Sequence, residues 1–413
     1  MHHDFFNIIS REEFESLLLS FAPTGIEKSS IADAYGLVLG ENILSPEDLP
    51  PANRSCMDGY AINARNAFGA TEGNPAYLEC CAELRVDEAP NFTLKPGECA
   101  AIPTGGTLPD GADAVVMVEH THELGSGTIE IRKSSAPGEN IMLKGEDTAK
   151  GENIYESGHT VRFQDVGLLA ALGIGTVSVH KKPSIGIIST GDELVAIESP
   201  SRAGSIRDVN SHTLRCLVSK AGGIPVNYGI VRDEIEKLEA TLAKAIAEND
   251  IVLLSGGSSV GMRDLTVRAI ESMPESKILA HGVAISPGKP TILGKVGSKP
   301  VLGLPGQVTS VQVVMLSIVM PFIRHIMGQK DAFACLDRPI RLAELGRNTP
   351  SKQGREDYVR VSLEHREGKL PIAHPVYGKS GLLKTLIKAD GLMIIPADTE
   401  GLYAGNQIQV WLI

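Results

Sequence analysis

The chain has 413 residues, 42% apolar and 22% charged, with a formal net charge of −11. At roughly 150 residues per domain, two to four cores are expected. The acidity, with no block of lysine or arginine, argues against a nucleic-acid surface, although backbone N–H groups and a few cations can still build one local anion site.

The first helix is signed by Ser10 and Glu13, a capping box, followed by Phe14, Leu17, Leu18 and Phe21 on one face. A second short helix is expected over Ser30–Val38, before prolines 46, 50 and 51 punctuate a loop. From about Tyr60 to Leu143 short apolar pieces alternate with turns such as Pro109-Asp110-Gly111, the pattern of a small β domain. Helix returns at Asp165–Leu172 with Gly173 as its stop, so the β block reads as an insertion. The expected division is therefore a helical unit of residues 1–46 and 144–180, an inserted β domain over 47–143, an α/β domain over 181–329 and a β domain over 330–413.

In the α/β segment the strand-like runs "SIGIIST", "VNYGIV" and "DIVLLSGG" alternate with amphipathic helices, one carrying Leu214, Leu217 and Val218, the next Ile235, Leu238, Leu242 and Ile246. That alternation implies a parallel sheet covered on both faces, with ligands outside the carboxyl ends of its strands. The apolar stretch Val308–Met327 is broken by Gln312, Ser317, Pro321 and Arg324 and reads as a core helix, so no membrane contact is expected. The final strand-like runs are "IRLAEL", "EDYVRVSLEH", "GLMIIPA" and "QIQVWLI", with a short helix at "SGLLKTLIKAD". No secretory signal is visible in "MHHDFFNIIS", and six cysteines (56, 80, 81, 99, 216, 335) form no C-x-x-C pair, which suits reduced thiols and a cytoplasmic location.

Several stretches share one form, an apolar strand, a glycine turn and a carboxylate. They are "IISTGDEL" with Glu193, "IRDVNS" with Asp208 and Asn210, and "LLSGGSSVGMRD" with Ser255, Gly256, Gly257, Ser258, Ser259 and Asp264. "ISPGKPTILG" and "GLPGQVTS" add Lys289 and Pro305. Successive N–H groups at a glycine turn make a nest that suits phosphate. Each stretch alone reads equally as a βα connection, and Asp264, just before a helix expected from about Leu265 to Ser272, equally as an N-cap. Three carboxylates at one sheet edge would repel a phosphate unless a divalent ion such as Mg²⁺ lay between them. The spacing matches neither a Walker A loop nor G-x-G-x-x-G. In the β block, Asp58-Gly59 is a turn signal and Thr104 a polar donor in a loop rich in glycine and proline.

Together these stretches resemble the molybdopterin molybdenumtransferase (MoeA) family, which includes the C-terminal half of gephyrin. The motifs are "SCMDGYAI", "IPTGGTLPDGADAVVMVE", "KGEDTAKG", "STGDEL", "IRDVNS", "SGGSSVGMRD", "PGKPTILG" and "GLPGQVTS", in family order over nearly the whole chain. The resemblance implies an elongated homodimer of four-domain subunits whose third domain is MogA-like, resembling the molybdopterin adenylyltransferase that acts before it. It implies insertion of molybdate into adenylylated molybdopterin with release of AMP, dependent on Mg²⁺, and molybdoenzyme acceptors or the adenylyltransferase as partners. By motif, Asp58, Thr104, Glu193, Asp208 and Asp264 match polar or acidic family positions, Asp147 matches the acidic position of "GED", and Lys289 matches the lysine of P-G-K-P. Asp58 and Thr104 would act in trans, across the dimer.

Three positions depart from the pattern. Gln307-Val308 stands where many relatives have Asn-Pro, Ser286 where close relatives often have a second lysine, and Cys56 where a small residue is usual. The first two changes admit a tungstate-preferring paralogue as an alternative. The third domain's fold admits an adenylyltransferase, and the family admits a non-catalytic molybdopterin-binding scaffold.

Overall fold

The structure is a computed structural model that describes residues 8–200, 202–256, 260–334 and 338–413; for 260–264 it describes the backbone alone. The helix α1 (Arg11–Leu19) carries the expected capping box, in which Ser10 Oγ accepts from Glu13 N and Ser10 N donates to Glu13. Its buried residues Phe14 and Leu18, with Phe21 beyond the end, pack into the core of the α/β domain. The sequence reading groups this helix with the helical unit, so its packing partner is a finding of the structure.

No helix forms over residues 30–38. Strand β1 (Ile26–Ser30) runs instead into turns, because it pairs antiparallel with a strand some 150 residues away, Ile26 opposite His180 and Ser30 opposite Thr176. That ladder closes the two flanks of the inserted β domain on each other around Leu37, Leu39, Ile43, Val161, Leu169 and Val179. The inserted domain is a six-stranded sheet of β2 (Gly59–Ile62), β3 (Ala76–Glu83), β4 (Glu98–Ile102), β5 (Ala114–Met117), β6 (Thr121–Glu123) and β7 (Thr128–Ile131), in the order β5-β2-β4-β3-β7-β6. Gly59 is required there, since a Cβ would stand 1.9 Å from Val116 O. Helix α2 (Phe163–Ala171) follows, ended by Gly173 at φ +69°, and then β8 (Thr176–His180), the partner of β1.

The α/β domain runs through β9 (Ser184–Thr190), the short β10 (Leu194–Val195) and β11 (Ile206–Arg207), α3 (Asn210–Lys220), β12 (Ile224–Val231), α4 (Ile235–Glu248), β13 (Ile251–Gly256), α5 (Val260–Glu271), β14 (Ser276–His281), β15 (Ile285–Ser286), β16 (Ile292–Val296) and β17 (Lys299–Leu304). The main sheet has the order β12-β9-β13-β17-β16-β14. Its first four strands are parallel, while β16 and β14 are antiparallel additions, so the expected parallel sheet carries a mixed edge. Leu238, Leu242 and Ala245 of α4 cover one face, and Leu214 and Val218 of α3 cover the other.

Helix α6 (Val308–Val314) continues through one π-helical stretch, Met315–Val319, into α7 (Met320–Ile326). Pro321 has no N–H to continue the ladder, and the wider turn accommodates it. By length and composition Val308–Ile326 is apolar enough to cross a membrane, but 78% of it is buried inside the protein, as a core helix should be.

The last domain contains β18 (Ile340–Leu345), β19 (Glu356–Glu364), β20 (Ile372–Pro375), α8 (Lys384–Ile387), β21 (Gly391–Ile395) and β22 (Gln407–Leu412). Its strands run β19-β20-β18-β22-β21 and close through a β19–β21 pairing. The two residues of β15 join this sheet rather than their own, with Ile285 opposite Glu356 and Ser286 opposite Asp357. Thr309 adds two bonds, its N–H and hydroxyl both donating to Ser380 O at 3.1 and 2.8 Å. The last domain is thus stitched onto the strand-end side of the α/β domain.

Candidate active site

Parallel strands point their carboxyl ends the same way, so the segments following β9, β12, β13 and β17 share one rim. After β9, Gly191-Asp192-Glu193 turns toward β10. Ile206 N donates to Glu193 O at 2.8 Å and Asp208 N to Val195 O at 2.9 Å, so the short β10–β11 ladder carries Glu193 at one end and Asp208 at the other. Asp208 is 5% exposed, and its Oδ1 accepts from Ser211 N at 3.1 Å in the first turn of α3. Glu193 is half-buried and folds back on Gly191, where a Cβ would meet its Oε2 at 2.8 Å.

Ser255, next to last in β13, is 1% exposed, and its Oγ accepts from Asn210 Nδ2 at 2.9 Å. A Cβ on Gly256 would stand 2.2 Å from Thr190 O, so β9 and β13 approach here more closely than any side chain permits. Gly257, Ser258 and Ser259 lie outside the described residues, as does the side chain of Asp264. Helix α5 starts at Val260, earlier than expected, so Asp264 falls within it rather than just ahead of it. Lys289 is exposed in the loop that leads from β15 to β16, its backbone O accepting from Val283 N at 3.0 Å. Gly288 precedes it at φ +129°, against Val314 and Ile285. Pro305 is buried at the end of β17, and Gln307 is exposed ahead of α6.

A carboxylate that the sequence reading passed over joins this rim. Asp233 follows β12, where Oδ1 accepts from Thr190 Oγ1 at 3.0 Å and Oδ2 from Asp192 N at 3.3 Å, while Asp192 Oδ1 accepts from Asp233 N at 3.3 Å. Burial, with the nearby charges of Asp192 and Glu193, pushes its carboxyl above the ordinary range despite those bonds. The signal was present in "GIVRDE", an apolar strand followed by a carboxylate, but no glycine marks the turn.

Asp58 and Thr104 meet on the inserted domain. Thr104 N donates to Asp58 Oδ1 at 2.7 Å and Thr104 Oγ1 to the same oxygen at 3.0 Å, and these bonds, the backbone one first, hold the Asp58 carboxyl below its usual range. Asp58 lines a cleft of about 580 Å³ with Tyr60, Glu83, Arg85, Pro103 and Val118. Among the described residues, no three His, Cys, Asp or Glu side chains stand together as a ready metal site, and Cys56, Cys80, Cys81, Cys99 and Cys216 are unpaired.

Comparison with known proteins covers almost the whole chain. Residues 9–173 match the MoeA N-terminal region (domain I and II), residues 186–325 a probable molybdopterin binding domain, and residues 343–413 the MoeA C-terminal region (domain IV). The chain is 34% identical to molybdopterin molybdenumtransferase 2 of Mycobacterium tuberculosis over 386 residues, covering 92% of this chain and 93% of that protein. It is 33% identical to a molybdopterin molybdenumtransferase of Nostoc, covering 91% and 86%. The crystal structure of a molybdopterin biosynthesis MoeA protein from Pyrococcus horikoshii superposes with a TM-score of 0.82 at 32% identity, over 98% of this chain and 100% of that one. With three consecutive regional matches and full-length relatives above 30% identity, this chain belongs to the MoeA family.

Proposed function

We propose that this protein is a molybdopterin molybdenumtransferase, which inserts molybdate into adenylylated molybdopterin and releases AMP in molybdenum cofactor biosynthesis. The observation that carries the reading is that Glu193, Asp208 and Asp233 each follow the strands on the carboxyl side of the parallel sheet, in a chain whose relatives bear that activity's name.

The reaction brings a phosphoanhydride, an oxyanion and a dithiolene together, so positioning and charge neutralisation must dominate. Glu193, Asp208 and Asp264 are the proposed holders of a Mg²⁺ ion. The donor chemistry fits a hard cation, since all are carboxylates, and the repulsion felt by Asp233 from Asp192 and Glu193 is of the kind that a cation relieves. When bound, the ion would neutralise the pyrophosphate charge. The Ser255–Ser259 turn, Lys289 and the Pro305 loop are the proposed grip on phosphate and pterin. Asp58, kept ionised by Thr104, is proposed to act across a homodimer on the partner's rim.

The test supplies adenylylated molybdopterin and molybdate to the purified protein, with and without Mg²⁺, and measures AMP and metal insertion together. Binding without turnover would favour a scaffold, and ATP consumption with free molybdopterin would favour an adenylyltransferase. Running tungstate in parallel reads the selectivity. Undiminished, equally Mg²⁺-dependent AMP release by Asp264→Ala would defeat the metal assignment. Mixed dimers of Asp58→Ala and Asp264→Ala subunits should regain activity that neither variant has alone, if the site is shared between subunits.

A further inference from the structure

We infer that Asn210 is a positioning residue, whose side-chain amide ties the end of β13 to the loop after β17 and so sets the shape of the strand-end cleft. The inference rests on the proposed function only for the identity of the substrate. Asn210 opens α3, and its Nδ2 donates both hydrogens: to Ser255 Oγ at 2.9 Å and to Gly306 O at 3.0 Å. The orientation of the amide is settled by its partners, because flipping it would set Oδ1 against the Gly306 carbonyl, acceptor on acceptor.

The two tied segments belong to neighbouring strands, as Ser255 pairs with Leu304 in the β13–β17 register. On its other flank Ser255 pairs with Ser189 of β9. One residue on, Gly256 is pressed against Thr190. The end of β13 is thereby gripped from both sides, by close packing on β9 and by the Asn210 amide on the side of Gly306. Asp208, two residues before Asn210, caps the same helix through Ser211 N. The carboxylate, the end of β13 and the Gly306 loop are therefore all held by the first turn of α3.

Stability alone would not select this arrangement. Among the described residues, Asn210 Oδ1 and Ser189 Oγ are both buried without a hydrogen-bond partner. An unsatisfied buried polar group costs about 1–3 kcal/mol, whereas an apolar pair of similar shape there would be nearly neutral. A polar tie that costs stability at the rim of a ligand site is explained by what it positions.

The experiment compares wild type with Asn210→Asp and Asn210→Ala. The aspartate keeps the shape but puts an acceptor where the donor was, opposite the Gly306 carbonyl; the alanine removes both bonds. Backbone hydrogen exchange is measured over 251–256 and 302–306 in the ligand-free protein, alongside kcat and KM for the pterin substrate and the thermal midpoint. Faster exchange is expected in both segments together, with kcat/KM lowered by roughly ten- to a hundredfold in each variant, as for a displacement near 1 Å. A role confined to packing predicts wild-type exchange and kinetics for Asn210→Asp, and that result overturns the inference. Loss of activity without loosening, or loosening without a kinetic change, overturns it as well. Should the wild type prove inactive on the adenylate, the proposed function falls, and coupled loosening of the two segments still decides whether Asn210 holds them.

Discussion

Thr104 grips Asp58 twice, through its backbone N–H at 2.7 Å and its hydroxyl at 3.0 Å, both on Oδ1. Two donors on one oxygen favour the charged form, so the Asp58 carboxyl is held below its ordinary range. Oδ2 is left for other work. Replacing Thr104 by Val removes the hydroxyl and keeps the backbone donor. We expect an unchanged thermal midpoint, because both groups lie at the surface, and turnover lowered by about tenfold as Asp58 gains rotational freedom. Turnover equal to wild type would show that the hydroxyl contributes nothing beyond the backbone bond.

Asp233 sits under opposite pressure. Burial and the charges of Asp192 and Glu193 raise its carboxyl above the unfolded value, so the folded protein holds that proton more tightly than the unfolded chain. Its contribution to stability therefore falls as pH rises through the unfolded value of about 3.9 and stays reduced above the folded one. Asn at this position removes the charge and keeps one oxygen, for Asp192 N, while its amide N–H faces Thr190 Oγ1, a hydroxyl that can accept as well as donate. Asp233→Asn should raise the ligand-free melting midpoint at neutral pH by about 1–2 °C and lower turnover at least tenfold. It should also shrink the rise in midpoint that magnesium chloride gives the wild type. Equal magnesium shifts in the two proteins would remove Asp233 from the cation's surroundings.

Much of this rim was legible from residues alone, because a buried parallel strand and its glycine turn are local features. The runs ending at Gly191 and Gly256 announced themselves, and the capping box of Ser10 and Glu13 located α1. What escaped depends on distant partners. Residues 26–30 form a strand only because 176–180 lie beside them. Ile285-Ser286, two residues long, give no periodic signal, yet they join the sheet of another domain. Asp233 lacked a glycine flag, and Asn210 was noticed without a role, since its bonds to Ser255 and Gly306 span 45 and 96 residues. The antiparallel edge of the main sheet could not be told from a parallel one by the hydrophobic pattern of its strands.

Away from the rim, Asp165 is buried at the start of α2 and accepts from Arg162 Nη2 at 2.9 Å, Arg162 N at 2.8 Å and Tyr155 OH at 3.1 Å, with His159 Nε2 at 2.6 Å. Burial opposes its charge, but the bonds from Arg162, His159 and Tyr155 outweigh it and hold the carboxyl well below the usual range. The same burial and the bond to Asp165 push the Tyr155 hydroxyl up to about 12. The stabilisation from Asp165 is complete above the unfolded carboxyl value, about 3.9, and fades as pH falls toward the lower folded value. Asp165→Asn should cost about 2 kcal/mol at pH 7, less than the roughly 3–5 kcal/mol of a fully buried pair because Arg162 is half in water. Denaturant melts at pH 7 and below pH 4 check this: the gap between the two proteins should narrow in acid, and a gap independent of pH would mean that the charge of Asp165 is not what stabilises.

Two glycine substitutions should have opposite signs for a reason visible in their surroundings. At Gly256 a methyl group would lie 2.2 Å from Thr190 O and 2.4 Å from Thr190 Cγ2, backbone and side chain of a central strand. Neither neighbour can yield without opening the β9–β13 ladder, so Gly256→Ala should cost about 2–3 kcal/mol and displace the end of β13. Gly167 lies inside α2 with nothing within 4 Å of its would-be Cβ and a helical backbone that alanine prefers. Gly167→Ala should therefore stabilise by about 0.5–1 kcal/mol. Because the two positions lie in different domains, urea melts followed by signals local to each domain separate the effects. A neutral Gly256→Ala would mean that β9 and β13 do not approach as closely in solution as the Thr190–Gly256 contact requires, and the tie from Asn210 would then be holding a looser strand end.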